Sequence, residues 1–244
     1  MNVLILGANS DIGIAIAKEF ATKHKASIQM ASRDLKQLEI NASDLNIRHG
    51  IKCDTYLFNA EDTASHSDFY QSLKHKPDVV VITFGLLGKD QKDLQNDIPA
   101  ALQILTINFN GAVSILEIVA NDFENRKTGT IIGISSVAGE RGRASNYIYG
   151  AAKAGLTAYL SGLRNRLCRS GVKVLTILPG FVNTKMTAHL ELPKPLLAEP
   201  ETVARLVLKG FQSNKDILYV KPIWKWIMLI IKLLPEFIFK RLNL

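Results

Sequence analysis

Residues 1–13 read MNVLILGANSDIG. An apolar run from Val3 to Leu6 meets Gly7, and Gly13 follows inside what reads as the first turn of a helix. An apolar run this short, closed by a glycine, reads as a buried strand. Glycine lets the chain turn sharply there. The N-terminus of the next helix then offers unpaired N–H groups and a positive dipole to a pyrophosphate. Strand, glycine turn and helix are the opening unit of a doubly wound sheet, although a plain strand-to-helix turn uses similar residues.

The rest of the chain repeats that unit. Short β-branched runs fall at 2–6, 27–31, 51–57, 78–83, 130–135, 172–178 and 217–220, and helical patterns at 11–23, 34–40, 63–73, 97–122, 146–170 and 200–211. Alternation of this kind predicts an α/β, Rossmann-type doubly wound parallel sheet of about seven strands. Its crossovers should be right-handed and its ligand crevice should lie at the carboxyl edge. A chain of 244 residues with 47% hydrophobic content fits one domain with one large core. Residues 1–222 are assigned to that domain and 223–244 to an apolar, basic C-terminal tail ending in a helix, with the run 223–234 stopped by Pro235.

Half of the net charge of +8 falls in residues 221–244, where Lys221, Lys225, Lys232, Lys240 and Arg241 face Glu236 alone. Basic residues mixed into an apolar run suit an anionic membrane surface, and nucleic acid is not expected as a partner. Twelve helical residues span roughly 18 Å, too short for a hydrocarbon core of about 30 Å. The tail is therefore expected either to lie in the membrane interface, with Lys225 and Lys232 on one face, or to pack between subunits of a homo-oligomer. The first apolar run is too short for a secretory leader, so residence is expected to be cytoplasmic, peripheral on the inner face of the cell membrane. Cys53 and Cys168 form no CxxC pair and read as buried free thiols, without a metal site.

Residues 135–155, SSVAGERGRASNYIYGAAKAG, carry the candidate chemistry. Tyr149 and Lys153 lie four apart on a predicted helix, hence on one face. A lysine cation beside a phenol favours phenolate and lowers its pKa, which suits a tyrosine for proton exchange with an alcohol or ketone. Tyr147 has Ala151 at the same spacing and lacks such a partner. At the end of the second strand, Ser32-Arg33 leans toward NADPH, because arginine accommodates a 2′-phosphate. Asp34 can still serve the ribose hydroxyls of NADH.

Glycine turn, YxxxK and upstream serine together resemble the short-chain dehydrogenase/reductase family over essentially the whole chain. The resemblance implies Ser136, thirteen residues before Tyr149, as the catalytic serine, Asn108 in TINFNG as the member that positions a water, and Lys153 as the group that tunes Tyr149. It implies NADH or NADPH held by Gly7, Asn9, Ser10, Asp11, Ile12, Arg33, Asn59, Ala60, Gly85, Tyr149, Lys153, Pro179, Gly180, Val182 and Thr184. The sequence departs from the family pattern at Leu6 (usually threonine), at Asp11 (usually glycine), at Asn59 (usually acidic) and at TFGLLG in place of NNAG.

Segments 83–88, 138–155 and 179–190 resemble the branch of that family that reduces decaprenylphosphoryl 2-keto-pentose. This likeness implies a lipid-linked sugar substrate, an arabinose product and a partner flavoprotein oxidase that makes the ketone. Arg141 and Arg143 are candidate contacts for the substrate phosphate or else solvated loop charges, and Tyr147 is a candidate pocket wall. His189 is assigned no role. Two other readings stand beside this one: a reductase or dehydrogenase of a soluble carbonyl or acyl substrate, and a non-catalytic nucleotide sensor or scaffold.

Overall fold

The computed structural model describes residues 1–242. Its strands are β1 (Asn2–Leu6), β2 (Ser27–Ser32), β3 (Cys53–Leu57), β4 (Val79–Ile82), β5 (Thr130–Ile134), β6 (Lys173–Leu178) and β7 (Ile217–Tyr219). All pair in parallel in the order β3-β2-β1-β4-β5-β6-β7. The order reverses at β1 and β4, so the crevice opens where those two strands diverge.

The helices are α1 (Asp11–His24), α2 (Leu35–His49), α3 (His66–Ser72), α4 (Gln91–Leu94), α5 (Ile98–Leu105), α6 (Gly111–Arg126), α7 (Tyr147–Leu167), α8 (Pro200–Gln212), α9 (Ile223–Leu233) and α10 (Glu236–Phe239). Successive strand residues face opposite sides. Val3 and Ile5 pack under α1, α2 and α8, while Leu4 and Leu6 pack under α3, α6 and α7. Both faces are covered, which is why the strands read as unbroken apolar runs.

Three expectations change. Helix α2 continues nine residues past the predicted stop at 40, to Gly50 in the left-handed conformation at φ +60°. Only Leu38, Ala42 and Leu45 of it are buried, so its second half carries little apolar signal. The predicted helix over 97–122 is α5 and α6 joined by one π turn at Thr106–Asn110. Together they form 29 helical residues, long and apolar enough to cross a bilayer, but Ile115, Leu116, Val119 and Phe123 are packed into the core. Cys168 is exposed and Cys53 half-buried, so only Cys53 is sheltered; burial pushes its thiol up to about 12.

The apolar C-terminal helix forms as α9, and it docks on the body through one face. Trp224 and Met228 pack with Val137 and Leu178. The opposite face leaves Trp226, Leu229, Ile230 and Leu233 exposed, and Phe237 after it. Lys225 points to solvent, but Lys232 pairs with Glu140 at 2.6 Å. The two lysines therefore do not act together on a membrane-facing side.

Candidate active site

At the carboxyl end of β1, Gly7 has φ +87°, and a Cβ there would sit 2.4 Å from the Phe84 nitrogen. Only glycine lets the β1 turn approach β4 so closely. Ser10 caps α1, its Oγ accepting the Gly13 N–H at 3.0 Å. Asp11 and Ile12 open the helix and have no intrahelical acceptor for their N–H groups. The Asp11 carboxylate turns away from the glycine turn and accepts the Lys185 N–H at 2.8 Å. That contact explains how an acid replaces the family's glycine without facing a pyrophosphate.

Two small cavities flank this turn. One, of about 160 Å³, is lined by Gly7, Ser10, Arg33, Asn59, Ala60 and Gly85 among others. The other, of about 100 Å³, is lined by Ile12, Ser136, Tyr149, Lys153, Pro179, Gly180, Val182 and Thr184 among others. A glycine turn, a helix N-terminus and a strand-end arginine fit a dinucleotide. Asn9 lines neither cavity. Its amide donates to the Asp34 carbonyl and accepts from Asn41, so the side chain braces the turn against α2.

Asp34 adds a cap to this end of the crevice. Its Oδ1 caps α2 by accepting the Gln37 N–H at 3.0 Å, while Oδ2 makes no bond within the described residues. Arg33 is exposed and meets Glu61 only at 3.4 Å. Asn59 is fixed by its own Oδ1, which accepts the Glu61 N–H, and by His66, which donates to its carbonyl.

Ser136, Tyr149 and Lys153 meet at the end of β5 and the first turns of α7. Burial pushes the Tyr149 phenol up to about 12, with the Ser136 hydroxyl pulling the other way. Burial also draws the Lys153 ammonium down to about 8. Its Nζ donates to the Ile134 carbonyl at 3.1 Å and lies 5.7 Å from the Tyr149 ring centre. The expected lowering of the tyrosine by lysine is thus not what this arrangement shows: desolvation dominates for both groups, against only the Ser136 hydrogen bond on the phenol. Ser135 points elsewhere, pinning β5 to α7 through the Lys153 carbonyl and the Thr157 hydroxyl.

Asn108 is buried at the π turn, where its Nδ2 donates to the Leu86 and Ile104 carbonyls and its Oδ1 accepts the Leu86 N–H. The side chain clamps the loop after β4. Both its donors are engaged, so the expected water-positioning role does not fall to them.

Beside Tyr149 opens a cavity of about 370 Å³, walled by Leu87, Leu94, Phe181 and Leu190 and by the polar Gln91, Arg143, Asn146 and His189. The two candidate arginines part company here. Arg143 lines the cavity without a partner on its buried Nε, and burial lowers its pKa. Arg141 reaches the tail: it donates to the Ile231 and Leu234 carbonyls, pairs with Glu236 at 2.9 Å and stacks on Phe239 at 3.7 Å. It is a structural clamp, not a phosphate contact. Tyr147 is exposed at the start of α7 and lines none of this cavity, which corrects its place in the pocket.

The short chain dehydrogenase family profile matches residues 1–194. An uncharacterized oxidoreductase of Mycobacterium tuberculosis is 34% identical over 98% of this chain and 96% of its own length. The chain belongs to the short-chain dehydrogenase/reductase family. Carbonyl reductase family member 4 of Xenopus laevis is 26% identical over 86% of this chain and 90% of its own. A short-chain dehydrogenase from Sphingobium yanoikuyae, solved with NADPH, shares the fold with a TM-score of 0.81, 23% identity and coverage of 94% and 92%.

As a short-chain dehydrogenase/reductase the protein is an NAD(P)-dependent oxidoreductase, and the sensor or scaffold reading falls away. Three residues of this dehydrogenase's cavity had no place in the sequence reading, namely Gln91, Asn146 and Phe181, and His189 was left without a role. They come from the start of α4, the cap of α7 and the segment after β6, which share no periodicity. Phe181 alone had a signal, since it follows the Pro179-Gly180 turn.

Proposed function

We propose that the protein reduces the C2 ketone of a polyprenylphosphoryl keto-pentose to the arabinose epimer, with a preference for NADPH. The observation that carries this reading is Arg143: a buried, unpartnered guanidinium nitrogen beside Tyr149, in a cavity that also presents the apolar Leu87, Leu94, Phe181 and Leu190. A buried cation without a counter-ion is costly, and an anionic group on the substrate supplies one through charge-assisted hydrogen bonds. The apolar walls suit the first carbons of a lipid. Arg33, exposed at the end of β2, supports the cofactor preference.

When bound, the reduced nicotinamide supplies the hydride. Tyr149, kept protonated at neutral pH by burial, gives its proton to the ketone oxygen. Ser136 donates a hydrogen bond to that oxygen as charge develops on it. Lys153 steadies the phenolate that remains, and Asn108 holds the loop that borders the site. A flavoprotein oxidase would supply the ketone. The exposed apolar face of α9, with Trp226 and Lys225, would rest in an anionic membrane interface and bring the cavity to a lipid-held substrate.

The test is turnover by purified protein of a keto-pentosyl polyprenyl phosphate, with NADH and NADPH in parallel, against soluble ketones and a β-ketoacyl thioester. Reduction only of the soluble or acyl substrates overturns the reading in favour of the carbonyl or acyl alternative, which the carbonyl reductase relative favours. For the membrane contact, Ile230→Glu with Leu233→Glu should release the protein from anionic liposomes at low salt. A dissociated oligomer with unchanged liposome binding would assign this face to subunit contact.

A further inference from the structure

Buried polar groups in folded proteins almost always find a partner, and the exceptions call for a reason. Among the described residues six buried side-chain atoms lack one: Gln29 Oε1, Gln91 Nε2, Glu140 Oε2, Arg143 Nε, Asn146 Oδ1 and Trp224 Nε1. Three of these six, from Gln91, Arg143 and Asn146, line one cavity, that of about 370 Å³ beside Tyr149. Arg143 is accounted for by an anionic group. Gln91 and Asn146 are neutral and are not.

The orientation of the Gln91 amide is set by the protein. Its Oε1 accepts the Ile148 N–H at 3.2 Å, so Nε2 must be the end left over, a donor. Asn146 sits at the N-cap position of α7, where an asparagine ordinarily accepts an N–H of the first turn. It makes no such bond. The Ile148 N–H, one that a capping side chain would take, goes to Gln91 Oε1 instead, and the Asn146 side-chain oxygen is kept as a free acceptor. One donor and one acceptor, both buried and both bordering the place where a ketone meets Tyr149, match a group that accepts and donates at once. A hydroxyl does both.

We propose that Gln91 and Asn146 read a hydroxyl adjacent to the substrate's carbonyl, the Gln91 amide donating to it and the Asn146 carbonyl accepting from it, so that the enzyme selects hydroxyketones over plain ketones. This rests on the reading of Tyr149 as proton donor but not on the lipid phosphate. A site built to bond a hydroxyl rejects the analogue that lacks it, because its own polar atoms are then left unpaired.

The experiment measures kcat/KM with NADPH for two matched pairs: 2-hydroxycyclohexanone against cyclohexanone, and a keto-pentosyl phosphate ester against its 3-deoxy counterpart. Two neutral hydrogen bonds correspond to a preference of about 10- to 100-fold for the hydroxylated member of each pair. Gln91→Glu keeps the acceptor for the Ile148 N–H while removing the donor, and Asn146→Ala removes the acceptor. Each should bring the ratio close to one, mainly through KM. Gln91→Met removes both ends of the amide and should show the same fall in ratio beside a lower kcat. A wild-type ratio near one, or a ratio unmoved in all three variants while both substrates slow together, overturns the proposal and leaves Gln91 only a prop for α7. Equal turnover of phosphate-bearing and phosphate-free hydroxyketones, with the hydroxyl ratio intact, overturns the phosphate reading and leaves the hydroxyl pair standing.

Discussion

The two ends of the crevice differ in how their polar side chains are used. Around the glycine turn Asn9, Ser10, Asp11 and Asp34 all have protein partners. In the cavity beside Tyr149, Gln91, Arg143 and Asn146 each keep a buried atom without one. The first set shapes backbone so that main-chain groups can meet a cofactor. The second set leaves side chains unsatisfied, as a site does when a ligand is to complete it. Substitutions at the first end should therefore register in stability, and at the second end in substrate turnover.

The largest effect belongs to the phenol at the junction of the two ends. Tyr149→Phe should reduce kcat by about 10²- to 10⁴-fold, the range of a general acid, with little change in cofactor Kd. Retention of wild-type turnover would move the proton donor to another group.

Lys153 gives a pH test next. With its pKa drawn down to about 8 by burial, its charge destabilises the fold fully below that pH, and the penalty vanishes as pH rises toward the ordinary lysine value. Measured against Lys153→Met in chemical denaturation without cofactor, the wild type should gain up to about 3 kcal/mol between pH 8 and pH 10. A flat difference would mean that the ammonium has a counter-ion.

Arg143→Met should lower kcat/KM for an anionic substrate by about 10- to 100-fold, the worth of a charge-assisted hydrogen bond. Its Tm should hold or rise, because no protein contact is lost. A clear fall in Tm would place Arg143 with the partnered set. Asp34→Ala is the smallest case, losing about 1 kcal/mol of stability with the α2 cap and leaving turnover near wild type. A switch in cofactor preference instead would return Asp34 to the ribose.

Legibility in the sequence followed the same division. The seven strands lie within about two residues of their apolar runs, because a strand buried on both faces must be apolar throughout. Tyr149 and Lys153 were readable from helical spacing. The second half of α2 was not, because residues 41–49 are mostly polar, although Gly50 offered a stop signal. Arg141 and Arg143 look alike two residues apart, and no local pattern separates them. What separates them is Glu236 and the end of α9, some ninety residues further on. Gln91 and Asn146 were equally silent, since a missing hydrogen bond leaves no trace in a sequence.

Trp224 bears on how the protein can be handled. A Cβ on Gly180 would lie 1.9 Å from its indole, and the ring also stacks edge-on against Phe181, so the turn after β6 beside the Tyr149 cavity is propped by α9. Trimming the tail to gain solubility would remove that prop. The shortened enzyme would look chemically dead while every residue of its reaction centre was still in the sequence, and an inactive truncation would be misread as proof that membranes are required.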